Sequence, residues 1–122
     1  MTATILTVDD SASIRVTIKM ALTGAGYSVD EAENGAAGIA KANAGNFDLI
    51  ITDLNMPVMD GLTMIEELRK NPAHAGIPII FLTTESDEAM KQRAKAAGAT
   101  GWLTKPFNPE QLVKIAKKVL GR

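Results

Sequence analysis

Short apolar runs alternate with longer amphipathic stretches along the chain. Thr4-Ile5-Leu6-Thr7-Val8 reads as a buried strand, since a short, branched, apolar run suits a sheet covered on both faces. Ile14, Ile18, Ala21 and Leu22 then recur at helical spacing, and Gly24 and Gly26 stop that helix. Residues 27–33 form a more polar strand, expected at a sheet edge. Residues 36–44 are helical in composition, although nearby glycines weaken the pattern. Residues 48–52 give a third strand. Asp60 then caps a helix with Leu62, Ile65 and Leu68 on one side. Residues 77–83 form a fourth strand, with Pro78 at its entrance, where a missing N–H is tolerated. Residues 87–97 form a helix closed by Gly98, and residues 99–104 a fifth strand. The last helix has the clearest start: Asn108 as N-cap, Pro109 at the first position and Gln111 completing a capping box. Its apolar stripe is Leu112, Ile115, Ala116 and Val119, and Gly121 ends it.

Five strands alternating with five helices predict an α/β domain with a parallel sheet covered on both faces. Right-handed crossovers put every strand's carboxyl end on one edge, where such folds bind ligands. The residues at those ends are Asp9-Asp10, then Asp53, then Thr83-Thr84, then Lys105. Glu33-Asn34, after the second strand, lies to one side.

Three carboxylates therefore converge. Two unit charges about 4 Å apart repel by about 4 kcal/mol at an effective dielectric of about 20. Either a pKa rises or a cation enters. A hard divalent ion suits oxygen ligands, and Mg²⁺ in particular uses one or two carboxylates together with phosphate oxygens. Lys105 adds a compact positive charge and Thr83 a hydroxyl. This set is equipped for phosphoryl transfer, with a carboxylate as acceptor. Asp53 stands alone at its strand end and is the acceptor candidate, whereas Asp9 and Asp10 read as metal holders. One Asp after a strand is ordinarily a cap or turn former. Acid, acid, hydroxyl and lysine after strands one, three, four and five make a much more specific signal.

Four motifs, VDDS at 8–11, DLNMPVMDG at 53–61, LTTE at 82–85 and KPF at 105–107, resemble those of response-regulator receiver domains, in particular the stand-alone chemotaxis kind. The likeness runs essentially end to end. It implies a flavodoxin-like fold with strand order 2-1-3-4-5, and residues 1–122 as one receiver domain without an output domain. It implies that Asp53 accepts a phosphoryl group from a histidine kinase's phosphotransfer domain. Asp10, Asp53 and the Asn55 carbonyl would bind Mg²⁺, with Mn²⁺ as a substitute, and Asp9 would hold a metal-bound water. Lys105 would pair with phosphoryl oxygens, in a chain made to turn by a cis Lys105–Pro106 bond. Thr83 would be the switch hydroxyl. Asn55 and Glu85 would tune phosphate lifetime, with help from a phosphatase. Trp102 departs from the family's usual Tyr or Phe; it is larger and rotates less freely, yet is expected to report the switch. The implied output face carries Lys91, Lys95, Trp102, Lys114 and Lys118 and would meet an acidic, amphipathic segment of the flagellar motor switch.

Charge supports that face. Residues 1–90 hold 5 Lys/Arg against 13 Asp/Glu, and residues 91–122 hold 8 against 1. The net charge of −1 argues against a nucleic-acid domain. A chain of 122 residues with 46% hydrophobic content fits one domain. No apolar run reaches membrane-span length, there is no signal layout at the start, and there is no cysteine, so a cytoplasmic monomer is expected. His74 sits in a loop by composition and reads as a surface residue. Three alternatives compete. A phosphate sink would drain a shared kinase without binding the motor. A haloacid-dehalogenase-type phosphatase would need a second acid where Asn55 stands. An FMN binder would need a Ser/Thr/Gly-rich loop where Asp9 and Asp10 stand. No turnover of a separate substrate is expected.

Overall fold

The computed structural model describes residues 2–54, 56–83 and 88–121. Strands β1 (Thr4–Val8), β2 (Ser28–Ala32), β3 (Leu49–Asp53), β4 (Ile79–Thr83) and β5 (Gly101–Thr104) alternate with helices α1 (Ala12–Gly24), α2 (Gly35–Ala44), α3 (Gly61–Lys70), α4 (Glu88–Ala97) and α5 (Pro109–Leu120). The sheet is wholly parallel in the order β2-β1-β3-β4-β5, the flavodoxin-like arrangement that the resemblance implied. Every predicted strand and helix is present, with ends shifted by a residue or two. β4 and β5 each begin two residues late; just before β5, Thr100 is engaged with Ile79, its N–H donating to Ile79 O and its Oγ1 accepting from Ile79 N–H.

Period-two alternation sorts the strands' side chains into two layers. Ile5, Leu49, Ile51, Ile80 and Leu82 pack with Ile18, Leu22, Leu112 and Ala116, so α1 and α5 share one face. Leu6, Val8, Ile50 and Ile79 pack with Met64, Ile65 and Leu68 on the face of α2 and α3. A third cluster, Leu54, Leu62, Phe81 and Ala94, joins α3 to α4. β3 and β4 are buried along their whole length, which holds the carboxyl edge rigidly.

Helix starts follow the sequence closely. Ser11, Asn34, Asp60 and Asn108 each accept from a backbone N–H three residues on. Asn108 and Gln111 form the full capping box, and Gly121, at φ 72, closes α5 in the left-handed region that glycine tolerates.

His74 corrects the sequence reading. It lies at the end of a short 3-10 turn, Pro72–His74, and is only 7% exposed. Asn71 caps that turn, and His74 Nε2 lies 2.8 Å from Asn43 Oδ1 on α2. Arg69 holds the same corner: its guanidinium donates to the carbonyls of His74, Ala75 and Gly98, fastening α3 to the α4–β5 turn. Neither long-range contact is visible in a local pattern.

Candidate functional site

In the order β2-β1-β3 the connections from β1 and from β2 run in opposite directions across the sheet, and the acids gather at that switch point between β1 and β3. Val8 is registered with Thr52, so Asp9 follows beside Asp53. Asp9, Asp10 and Asp53 can each offer one carboxylate oxygen, all within 4.8 Å of one another. Asp9 is 1% exposed and Asp53 7%, while Asp10 faces solvent. Lys105 reaches in from the end of β5, its Nζ 3.1 Å from Asp53 Oδ2 and 3.4 Å from Asp9 Oδ2. The Lys105–Pro106 peptide is cis. Lys105 N–H donates to Thr83 O at 2.7 Å, which ties the buried Thr83 to the same corner.

Local bonds fix the acids. Asp9 Oδ1 accepts from Ser11 N–H at 2.9 Å, and Asp53 Oδ1 from Leu54 N–H at 2.8 Å. Arg15, which the motif reading passed over, donates to the Asp9 carbonyl at 2.6 Å and pairs with Glu31 at 3.3 Å. It braces the loop that carries Asp9 and Asp10.

Burial pushes the Asp9 carboxyl above its ordinary 3.8; the Ser11 N–H and Lys105 oppose this and the Asp53 charge adds to it. A raised acid keeps its proton longer in the folded chain than in the unfolded one. Its contribution to stability is therefore full at low pH and is lost as pH rises from about 3.8 through the folded value. In metal-free buffer, Asp9→Asn should remove that downward slope and raise the urea midpoint near neutral pH. A slope that persists unchanged in Asp9→Asn would assign it to another group.

The donor set fits a hard divalent cation. It consists of oxygens alone, two of its carboxylates are buried together, and the burial that penalises their charge is what a cation relieves. The expectations for Asn55 and Glu85 lie outside the described residues.

The proposed output face comes together in part. The Trp102 ring stacks on Phe81, with centroids 6.1 Å apart at 29°. The Nζ atoms of Lys91 and Lys95 each lie 4.7 Å from its centroid, so two cations hold one aromatic. Lys114 is exposed on α5 and lines a groove with Ala21, Pro109, Val113 and Lys117. Lys118 is exposed on α5. The register Phe81↔Trp102 and Thr83↔Thr104 sets Phe81 and Thr83 on one face of β4, directly opposite β5. Thr83 thus lies two residues beyond Phe81 on the face of β4 where Phe81 meets Trp102.

An acid cluster and a lysine at the switch point of a five-stranded parallel sheet define a small α/β module whose carboxylates could hold a cation. The response regulator receiver domain model matches residues 5–117, and the chain belongs to that family. It is a CheY-like receiver domain of two-component signalling. The transcriptional regulatory protein ResD of Bacillus subtilis is 42% identical over 118 residues, 97% of this chain but 48% of ResD; the chain spans about half of that relative. The chemotaxis protein CheY1 of Helicobacter pylori strain 26695 is 41% identical over 120 residues, 96% of both chains. The solved structure of the chemotaxis response regulator CheY4 of Vibrio cholerae superimposes with a TM-score of 0.94 at 47% identity, covering 98% of this chain and 99% of that one. Among the described residues no helix is long and apolar enough to cross a membrane.

Proposed function

We propose that the chain is a phosphorylation switch: Asp53 takes a phosphoryl group from a histidine kinase's phosphotransfer domain, and the α4–β5–α5 face then binds the flagellar motor switch. The observation that carries this reading is Lys105 Nζ at 3.1 Å from a buried Asp53 carboxylate, within one cluster with Asp9 and Asp10. In the step, an Asp53 carboxylate oxygen bonds to phosphorus as the phosphorus–nitrogen bond to the donor imidazole breaks, and the electron pair stays on that nitrogen. Lys105 neutralises charge on the transferred oxygens, and the rigid β3 end holds the acceptor in line. Asp9, Asp10 and Asp53, with the Asn55 carbonyl, would hold Mg²⁺, which when bound supplies further charge neutralisation. Thr83 turns toward the phosphoryl group, and Phe81 passes that shift to Trp102. Asn55 and Glu85 set how long the phosphate lasts and where a phosphatase acts.

Likeness to CheY1 and CheY4 over nearly the full length of all three chains supports the motor as target. The two lysines over Trp102 suit an acidic, amphipathic segment. We also read residues 1–122 as a single receiver domain that acts in the cytoplasm as a monomer and turns over no separate substrate.

Incubation with phosphoramidate and Mg²⁺ should give a hydroxylamine-labile adduct that peptide mapping places on Asp53. It should also change the fluorescence of Trp102, the only tryptophan. A label on another residue would overturn the assignment, and fluorescence that stays constant would overturn the Thr83-to-Trp102 path. Pull-down of the motor-switch protein separates the motor role from the sink, because a sink would not bind it in either state.

A further inference from the structure

Asp10 is the exposed member of the acid cluster, and its carboxylate makes no hydrogen bond or ion pair with another described residue. Asp9 and Asp53 are held differently: each accepts from a backbone N–H, and each meets Lys105. A cation ligand without a partner of its own has to be ordered when the ion arrives, and that ordering costs affinity. The aim of Asp10 therefore depends on its backbone.

The flanks of that backbone are tied down. Asp9 N–H donates to Ala32 O at 3.1 Å, and Ser11 caps α1. Between them, the Asp9 carbonyl accepts from Arg15 Nη1 at 2.6 Å, a short charge-assisted bond. Among the described residues it is the one hydrogen bond on the Asp9–Asp10 peptide. That peptide is planar, so fixing its carbonyl fixes the direction in which Asp10 leaves it.

Arg15 is itself held. Its Nε donates to Glu31 Oε1 on β2 at 3.3 Å, and Lys19 Nζ lies 3.5 Å from the other oxygen of Glu31. The Arg15 side chain is only 17% exposed. One guanidinium thus spans a carbonyl after β1 and a carboxylate on β2. The compact ammonium of a lysine has no such planar fork. Through this one side chain the edge strand β2 reaches the acid cluster, although neither Arg15 nor Glu31 belongs to the cluster.

We propose that Arg15, oriented by Glu31, is a positioning residue for divalent-cation binding: it fixes the Asp9–Asp10 peptide and so presents the Asp10 carboxylate to the ion. The inference rests on the acid cluster holding a divalent cation, and its test separates the two. Free Mn²⁺ is followed by electron paramagnetic resonance during titration of the full chain and of its Arg15→Ala, Arg15→Lys, Glu31→Ala and Glu31→Gln variants. Charge alone predicts tighter binding in Arg15→Ala, which loses a positive group near the ion, and no change in Arg15→Lys. Positioning predicts that both bind Mn²⁺ about tenfold more weakly. Glu31→Ala should lose about threefold, because the guanidinium keeps the carbonyl but loses its second hold. Glu31→Gln, whose amide oxygen still accepts from Nε, should stay within about twofold of wild type. The Arg15→Ala/Glu31→Ala double variant should bind no more weakly than Arg15→Ala, because Glu31 acts through Arg15. In phosphoramidate labelling, the Mg²⁺ concentration that gives half the maximal rate should rise about tenfold in Arg15→Lys, so added Mg²⁺ recovers the rate. Wild-type Mn²⁺ affinity in Arg15→Lys, tighter binding in Arg15→Ala, or a labelling defect that saturating Mg²⁺ leaves in place would overturn the positioning role and leave the cation site standing. A double variant that sums the two single losses would overturn the part given to Glu31. A wild-type chain that takes up no Mn²⁺ would bring down both the site and the inference.

Discussion

Lys105→Ala should lower the rate of Asp53 phosphorylation by about 100-fold or more, the usual effect of removing one preorganised charge donor from a transferring group. The same variant should bind Mg²⁺ about threefold more tightly, or better. Both effects come from one position. Lys105 Nζ sits 3.1 Å from Asp53 and 3.4 Å from Asp9 and is largely shielded from water. In the metal-free chain it is a cation already lodged among the acids, so a divalent ion entering the cluster is repelled by it. Removing it leaves more net negative charge for the ion, and no positive charge for the phosphoryl oxygens. The rate would be read with phosphoramidate at saturating Mg²⁺, and the affinity from a Trp102 fluorescence titration. A residue that merely supported the fold would weaken both. Tighter metal with slow transfer is the signature of electrostatic catalysis, and weaker metal binding in Lys105→Ala would refute this account of the lysine.

The site was legible because its parts sit at strand ends, and strand ends can be read from runs of apolar residues. Leu49-Ile50-Ile51 predicts that Asp53 is delivered to the carboxyl edge, and topology then sets it beside Asp9, although 44 residues separate them. The caps at Ser11, Asn34, Asp60 and Asn108 are equally local, each needing only a side chain and an N–H three residues on. What stayed hidden depends on contacts between distant elements. His74 is buried through α2, and Arg69 reaches carbonyls 5 and 29 residues away. Val58 looks apolar and unremarkable until its φ of 69 is known. Periodicity specifies which face of an element is buried, but not which neighbour a long polar side chain finds.

Gly61→Ala should destabilise the protein by about 3 kcal/mol. For a chain of this size that lowers Tm by about 10–15 °C. Gly61 is the first residue of α3, and its N–H donates to Leu54 O. A Cβ built there would run into the Asp53 carbonyl oxygen and lie 3.0 Å from both Asp53 C and Leu54 Cα. Those obstacles are backbone atoms at the end of a strand buried along its whole length, so no rotamer change relieves the overlap. Either α3 withdraws from β3 or the Asp53 peptide moves. Withdrawal would open the packing of Leu54 and Leu62 against Phe81 and Ala94. Movement of the peptide would shift the Asp53 carboxylate relative to Lys105, so surviving Gly61→Ala protein should also phosphorylate slowly. Gly24→Ala is the control: Gly24 closes α1 with nothing within 4 Å of its built Cβ, and alanine there should be neutral or stabilising by a few tenths of a kcal/mol. Urea unfolding of the two variants beside wild type decides the matter. If Gly61→Ala unfolds at the wild-type midpoint, the close approach of α3 to Asp53 is not what sets the acceptor's position. If it unfolds early while Gly24→Ala does not, the glycine is needed because backbone must pass against backbone beneath the acid cluster.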